Sequence, residues 1–244
     1  MADVLIVTGG SRGIGAATAK LAAGRGWSVL TTYIERRAPA EAVVAGITAA
    51  GGRAATIRAD TAVEADVTRM FDTATEMFGP VTGLVNNAGL NGGPSDLADM
   101  ETAEIRRLVE VNVVGPILCA REAVRRMSRD RGGQGGVIVN LGSVAARLGS
   151  AHERVHYAAS KGAVLSFTQG LGREVIRQGV RVVCVSPGLT DTEMNPAERQ
   201  ARVLPVVPIG RVADPKEIAQ AILFLLSPEA SYITGTELTV SGGR

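Results

Sequence analysis

Seven short apolar runs lie along the chain, separated by longer segments in which apolar residues recur at every third or fourth position. The runs are rich in Val, Ile and Leu and are apolar at consecutive positions, which is typical of parallel strands covered on both faces. They occupy residues 4–8, 28–33, 54–59, 83–87, 137–141, 180–186 and 237–240.

The longer segments predict helices at residues 14–24, 41–51, 67–79, 103–127, 157–179 and 215–227. Several end near a glycine, which commonly terminates a helix. Alternating strands and helices with right-handed crossovers predict an α/β fold, a single doubly wound Rossmann-like domain with a seven-stranded parallel sheet. No linker-like stretch divides the chain, so the predicted domain spans residues 1–244.

Composition narrows the class of partner and the location. The net charge is +2 and 20% of the residues are charged, which argues against nucleic acid as the main partner. The two cysteines show no C-x-x-C spacing, which is typical of a protein in a reducing compartment. No basic and then apolar leader begins the sequence and no apolar run reaches about 18 residues, so we expect a cytoplasmic protein without a membrane-spanning segment.

A glycine-rich turn, "TGGSRGIG" at residues 8–15, follows the first strand and opens the first helix. Glycine lets the backbone approach a pyrophosphate, and a helix N-terminus offers free N–H groups and a positive dipole end. The turn predicts a dinucleotide site; the alternative is a turn that binds nothing. The predicted contacts in it are Gly9, Ser11, Arg12, Gly13, Ile14 and Gly15.

Two further segments lie where strands end. Asp60 follows the third strand and could accept a hydrogen bond from an adenine amino group; the alternative is a helix cap. Asn87, Ala88 and Gly89 follow the fourth strand at the carboxyl edge, where ligands of open α/β sheets bind, although Asn and Gly are also common in plain turns.

The motifs "TGGSRGIG", "NNAG", "EVNVVG", "NLGSVA", "YAASK" and "SPG" occur together, in this order, over nearly the whole chain. In order and approximate spacing they resemble the short-chain dehydrogenase/reductase family, in particular its 3-oxoacyl reductase-like and glucose dehydrogenase-like members. The resemblance implies a nicotinamide cofactor along the carboxyl edge of the sheet, a small-molecule carbonyl or alcohol substrate, and a homotetramer, with a homodimer as the alternative. It also implies a catalytic tetrad of Asn112, Ser143, Tyr157 and Lys161.

The chemistry of these residues agrees with that resemblance. Tyr157 and Lys161 are four residues apart on a predicted helix, so they share a face, and a nearby ammonium favours the phenolate that an acid/base tyrosine needs. In the family the lysine also binds the nicotinamide ribose. The resemblance further implies that Ser143 holds the substrate oxygen and that Asn112 positions a water linking Lys161 to solvent.

A second cofactor segment follows the sixth strand. By the resemblance, Pro187 and Gly188 shape a turn, and Thr190 and Thr192 contact the nicotinamide carboxamide. The family more often has Val or Ile where Thr190 stands, a departure that we expect to change little because the backbone makes that contact.

The choice between the two nicotinamide cofactors depends on the end of the second strand. Relatives specific for NAD generally have a carboxylate at the position that Tyr33 holds. Arg12, Arg36 and Arg37 would suit the additional phosphate of NADP(H), because guanidinium groups pair with phosphate. We therefore predict NADP(H), with NAD(H) as the alternative; Arg36 and Arg37 could instead be solvated charges.

Two other functions remain open from the sequence. His152, Glu153 and His156 form a literal H-E-x-x-H, the spacing of zinc hydrolases, which requires both histidines on one helix. We expect this match to be accidental, with no metal bound and with the histidines bordering the substrate pocket or solvated. A catalytically silent, NAD(P)-binding sensor of the same fold is the other alternative, although a pure binder has no need of Tyr157 and Lys161 together.

Overall fold

The computed structural model describes residues 3–244, and within them seven strands form one parallel sheet. The strands are β1 (Val4–Val7), β2 (Ser28–Tyr33), β3 (Arg53–Arg58), β4 (Val81–Asn86), β5 (Gly136–Leu141), β6 (Val180–Pro187) and β7 (Glu237–Val240). Their order across the sheet is β3-β2-β1-β4-β5-β6-β7. The predicted α/β fold is confirmed; of the predicted domain, Met1 and Ala2 lie outside the described residues.

Helices cover both faces of this sheet. They are α1 (Gly13–Gly24), α2 (Arg37–Ala49), α3 (Glu64–Phe78), α4 (Thr102–Val109), α5 (Gly115–Met127), α6 (Ala145–Leu148), α7 (Val155–Val175), α8 (Ala197–Val203) and α9 (Pro215–Leu226). One core contains side chains of α1, α2 and α9, and the other contains side chains of α3, α5 and α7. Leu5 packs into the first core and Ile6 into the second, which explains why the strand has apolar residues at consecutive positions.

The long helix predicted at 103–127 is interrupted. A π-helical turn at Glu110–Val114 separates α4 from α5. The apolar periodicity continues through this turn, so the pattern alone could not reveal it. π-helical turns are frequent at functional sites, and this one contains Asn112.

The strand order reverses between β1 and β4, because the chain leaves β1 for β2 on one side and returns to β4 on the other. At such a reversal the loops that follow neighbouring strands diverge and leave a crevice at the carboxyl edge. The helices in residues 3–244 include none that is both long enough and apolar enough to span a membrane.

Candidate active site

A cleft of about 1020 Å³ lies along the carboxyl edge of the sheet, bounded by the loops that follow β1, β2, β4, β5 and β6. Most of the predicted site residues line it: Gly9, Ser11, Arg12, Gly13, Ile14, Tyr33, Arg36, Asn87, Ala88, Gly89, Ser143, Tyr157, Lys161, Pro187, Gly188, Thr190 and Thr192. Gly15, Arg37, Asp60 and Asn112 are not part of its wall.

The glycine turn closes tightly at the first of these loops. Gly9 and Gly13 have φ values of +66° and +53°, which favour glycine. A Cβ on Gly15 would lie 2.4 Å from Gly9 O and 2.5 Å from Asn87 Nδ2, so there is no room for a side chain. Because α1 begins without a side-chain cap, the N–H groups of its first turn are available to an anion. These features fit the pyrophosphate of a dinucleotide.

Asn87 and Thr8 fasten this turn to the loop after β4. The Thr8 hydroxyl accepts hydrogen bonds from the N–H groups of Asn87 and Ala88, each at 3.0 Å. Asn87 Nδ2 donates to Thr8 O and Gly9 O, each at 2.9 Å. Sequence reasoning missed Thr8, although its place directly after the first strand was a usable signal.

Tyr157 and Lys161 lie on α7, facing the cleft. Lys161 is 6% exposed, and its Nζ donates to Leu141 O at 2.7 Å. The same Nζ lies 5.7 Å from the centre of the Tyr157 ring. Within residues 3–244 no carboxylate forms an ion pair with this ammonium. Its charge is therefore held beside Tyr157 without being neutralised.

Asn112 connects the π-helical turn to the loop after Gly89. Its Oδ1 accepts from Leu90 N at 2.8 Å, and its Nδ2 donates to Leu90 O at 2.7 Å and to Ser160 Oγ at 3.1 Å. Ser160 Oγ in turn donates to Tyr157 O at 2.7 Å. Asn112 thus braces the cleft loop against the helix of Tyr157; its implied water contact stays a prediction.

Ser143 lies two residues beyond β5, at the cleft and half-buried. Its Oγ accepts a hydrogen bond from Ala145 N at 3.1 Å, which orients the side chain. The hydroxyl proton can then be donated into the cleft towards a substrate oxygen.

The segment after β6 crosses the cleft as a strap, which we define as residues 190–195. Thr190 is 2% exposed and its Oγ1 donates to Gly188 O at 3.2 Å. A Cβ built on Gly13 would lie 3.2 Å from Thr192 Cγ2, so the strap packs on the glycine turn. On the other side Asn91 Nδ2 donates to Met194 O at 3.1 Å. The strap therefore spans the cleft from wall to wall.

Arg12 and Arg36 meet at the end of β2, and both pair with Glu193 of the strap. Arg36 Nη1 lies 2.9 Å from Glu193 Oε2, and Arg12 forms an ion pair with the same oxygen. Arg37 turns away, with its Nε 2.7 Å from Glu41 Oε1 on α2. Two of the three predicted phosphate ligands therefore already hold an anionic group, and sequence reasoning missed the residue that supplies it.

The Asp60 carboxylate is already engaged by two neighbouring groups, one of which, Arg107, lines the cleft. Its Oδ1 accepts from Ala62 N at 3.0 Å and its Oδ2 lies 2.6 Å from Arg107 Nη2. Its neighbours Ala59 and Thr61 line the cleft instead. The adenine contact predicted for Asp60 stays a prediction, and the local geometry favours a structural role in the turn before α3.

The two histidines of the H-E-x-x-H spacing do not share a helix. His152 has φ +56° and precedes α7, and its Nδ1 lies 3.0 Å from Asp96 Oδ1. His156 is in α7 and 7% exposed, with Nε2 4.0 Å from Glu104 Oε1. The geometry that a zinc hydrolase needs is therefore not formed. His152 lines the cleft as expected, whereas His156 is buried behind it.

The fold and the site define a class, the nicotinamide-dependent oxidoreductases of the α/β type. A family model described as enoyl-(acyl carrier protein) reductase matches residues 9–244. The chain belongs to the short-chain dehydrogenase/reductase family.

Particular relatives agree with that assignment. The chain is 45% identical to the uncharacterized oxidoreductase YgfF of Escherichia coli over 99% of each chain. It is 37% identical to cis-4-hydroxycyclohexanecarboxylate dehydrogenase of Sinomonas cyclohexanicum over 98% of this chain and 95% of the relative. A short chain dehydrogenase from Burkholderia cenocepacia, solved in complex with NADP, superposes with a TM-score of 0.92 at 39% identity, covering 99% of this chain and 97% of that chain.

The chain is therefore an NAD(P)-dependent enzyme of this family. That conclusion disfavours the alternative of a silent sensor.

Proposed function

We propose that the enzyme transfers a hydride between NADP(H) and a carbonyl or secondary-alcohol substrate, with Tyr157 as the acid/base. The observation that carries this proposal is the Lys161 ammonium, buried, fixed on Leu141 O and 5.7 Å from the Tyr157 ring at the wall of the cleft. When bound, a nicotinamide cofactor supplies the hydride chemistry. The protein then has to supply proton transfer and orientation.

Four residues of the site would carry out proton transfer and substrate orientation, each in a different role. In reduction the Tyr157 phenol donates its proton to the substrate oxygen, and in oxidation the phenolate takes the hydroxyl proton. The Lys161 charge stabilises the phenolate. The Ser143 hydroxyl donates a hydrogen bond to the same substrate oxygen and thereby orients it. Asn112 acts as a positioning residue, because its contacts run to the Leu90 backbone and to Ser160.

The cofactor would be held along the same edge of the sheet. The Gly9–Gly15 turn and the start of α1 accommodate the pyrophosphate, and the strap residue Thr192 faces that turn. Arg12 and Arg36 supply two guanidinium groups for an additional phosphate on the adenosine ribose, which favours NADP(H) over NAD(H).

The role of Tyr157 is tested by Tyr157→Phe. We expect kcat to fall on the order of 100- to 10,000-fold, because the proton donor is lost, while the Kd for NADPH is unchanged. A panel of alcohols and carbonyls followed at the reduced-nicotinamide absorbance gives kcat, and NADPH fluorescence gives Kd. The matched control is Tyr232→Phe, an exposed tyrosine outside the cleft. A wild type that binds NADPH but turns over no member of the panel would support the sensor instead.

The cofactor preference is tested by comparing neighbouring arginines. Arg36→Ala should raise the Kd for NADPH on the order of 10- to 100-fold without raising that for NADH, because the charge-assisted contact that is lost is one to the phosphate that NADH lacks. Arg37→Ala is the matched control, since Glu41 already holds Arg37 on α2. A wild type with the higher kcat/KM for NADH would contradict the preference.

We propose a homotetramer, with a homodimer as the alternative, in the cytoplasm and without nucleic acid or membrane as partner. Two observations support the assembly: β7 is an edge strand, and Leu238 on this strand and Tyr232 in the segment before it expose apolar surface. Both cysteines are free and buried, which fits a reducing compartment.

A further inference from the structure

One guanidinium group at the catalytic end of the cleft has no counter-charge. Arg154 precedes α7, lines the cleft and is 9% exposed. Within residues 3–244 it forms no ion pair, and its buried Nε has no hydrogen-bond partner. A charge that is mostly removed from water is unfavourable unless it is paired. An anion entering the cleft would compensate this one.

The surroundings of Arg154 add positive charge. Arg199 of α8 donates to Asn195 Oδ1 at 2.6 Å and to Glu153 Oε2 at 3.1 Å, and its Nε is buried without a partner. Arg202 also pairs with Glu153. Arg199 and Arg202 thus share the Glu153 carboxylate, and together with Arg154 the group has three guanidinium charges against one carboxylate. Burial, and next the charge of Arg199, lower the pKa of Arg154, so the two groups act on each other.

This charge lies beside the proposed catalytic tyrosine and belongs to other loops than the predicted phosphate sites. Tyr157 is close enough to act electrostatically on both Arg154 and Arg199. Ala158 N donates to Arg154 O at 3.0 Å, so Arg154 begins the helical turn that contains Tyr157. The predicted sites for the cofactor phosphates, at the start of α1 and at Arg12 and Arg36, follow β1 and β2, whereas Arg154 follows β5 and Arg199 follows β6.

We propose that the substrate carries an anionic group, a carboxylate or a phosphate, within a few bonds of the reacting carbon, and that Arg154 binds it. This inference rests on the proposed function and names the substrate class of the same site. Arg199 stands beside Arg154 as a second cation. A guanidinium fork matches both anions in geometry, and a neutral substrate leaves the buried charge uncompensated.

Matched substrate pairs test the proposal in the wild type. 4-Oxopentanoate against its methyl ester is the carboxylate pair, and dihydroxyacetone phosphate against dihydroxyacetone is the phosphate pair. We expect kcat/KM to be on the order of 10- to 100-fold higher for the charged member of at least one pair, which also identifies the anion. Equal kcat/KM within both pairs would overturn the proposal while leaving the proposed function intact.

Substitution assigns the effect to its residue. Arg154→Met should abolish the preference for the charged member. Arg154→Lys should keep part of it, because lysine retains the positive charge but lacks the planar guanidinium group that binds an anion through two parallel hydrogen bonds. Arg173→Met, an exposed arginine in the last turn of the same helix, is the control and should keep the full preference. A preference that survives in Arg154→Met would overturn the assignment.

Binding provides a readout that needs no turnover. Calorimetry should show pentanoate, but not pentanamide, binding to the wild-type enzyme, and about 10-fold weaker binding to Arg154→Met. Pentanoate that binds both proteins equally would overturn the proposal. If no carbonyl or alcohol is turned over, the proposed function fails, and the calorimetry still decides the role of Arg154.

Discussion

At the residue scale, Gly15 allows the glycine turn to pack against Asn87 because it has no side chain. Gly15→Ala would place a Cβ 2.4 Å from Gly9 O, which the turn can relieve only by opening. We expect a loss of about 1–3 kcal/mol in the free energy of unfolding and weaker NADPH binding. Thermal unfolding and an NADPH titration measure the two effects.

Gly46→Ala in α2 is the matched control. Among residues 3–244, no atom beyond the adjoining residues and backbone of its own helix lies within 4 Å of its added Cβ, so this variant should gain about 0.5–1 kcal/mol and bind cofactor normally. Equal stability in the two variants would contradict the close packing at Gly15.

Residues of the site differ in how far the sequence could predict them. The glycine turn and the Tyr157–Lys161 pair have fixed local spacing, so they were identifiable along the chain. Glu193 and Arg154 were not, because their importance depends on which charges meet across the cleft. With 26 Lys and Arg and 24 Asp and Glu in the chain, sequence alone cannot select those partners.

At the element scale, periodicity predicted the main helices but not the π-helical turn. Within that turn the Asn112 side chain bonds to Leu90 and Ser160, partners 22 and 48 residues away that local periodicity cannot reveal. The short helices α6 and α8 were also missed, since four and seven residues are too few for a clear apolar repeat.

Helix α9 provides a prediction for pH dependence. Asp214 caps it, and Glu217 accepts from Asp214 N at 2.9 Å and from two nitrogens of Arg211 at 2.7 Å each. The Arg211 hydrogen bonds, followed by that from Asp214 N, lower the pKa of Glu217 from 4.5 to about 2. Because the folded-state pKa is the lower one, the stabilisation is complete above pH 4.5 and is lost as the pH falls towards 2.

Glu217→Gln should therefore be less stable than the wild type near neutral pH, and the difference should shrink on acidification over that window. Urea unfolding at a series of pH values measures this difference in the free energy of unfolding between the variant and the wild type. Glu198→Gln, an exposed residue of α8, is the control. A difference that stays constant with pH would rule out the role of the carboxylate.

At the scale of the whole molecule, the sheet was predictable because its five central strands, β1, β2, β4, β5 and β6, are almost wholly buried and are therefore rich in apolar residues. Assembly is harder to predict, since an interface residue looks like any exposed apolar residue. Tyr232 is fully exposed beside the edge strand β7.

We therefore expect Tyr232→Glu to lower the molar mass in light scattering to that of a dimer or monomer. Met77→Glu, exposed on α3, should leave the mass at that of a tetramer. A monomeric wild type would contradict the proposed assembly.

If NADP(H) binds as proposed, the contact of Glu193 with Arg12 and Arg36 would make cofactor binding an anion exchange. The additional phosphate would displace the Glu193 carboxylate from the same two guanidinium groups. Glu193 directly follows Thr192, which packs on Gly13, so the exchange would release the strap from the two arginines next to its contact with the glycine turn. NAD(H) has no phosphate to offer in exchange and would leave the strap tied down. Discrimination between the two cofactors would then depend on the mobility of the strap as well as on contact with the phosphate.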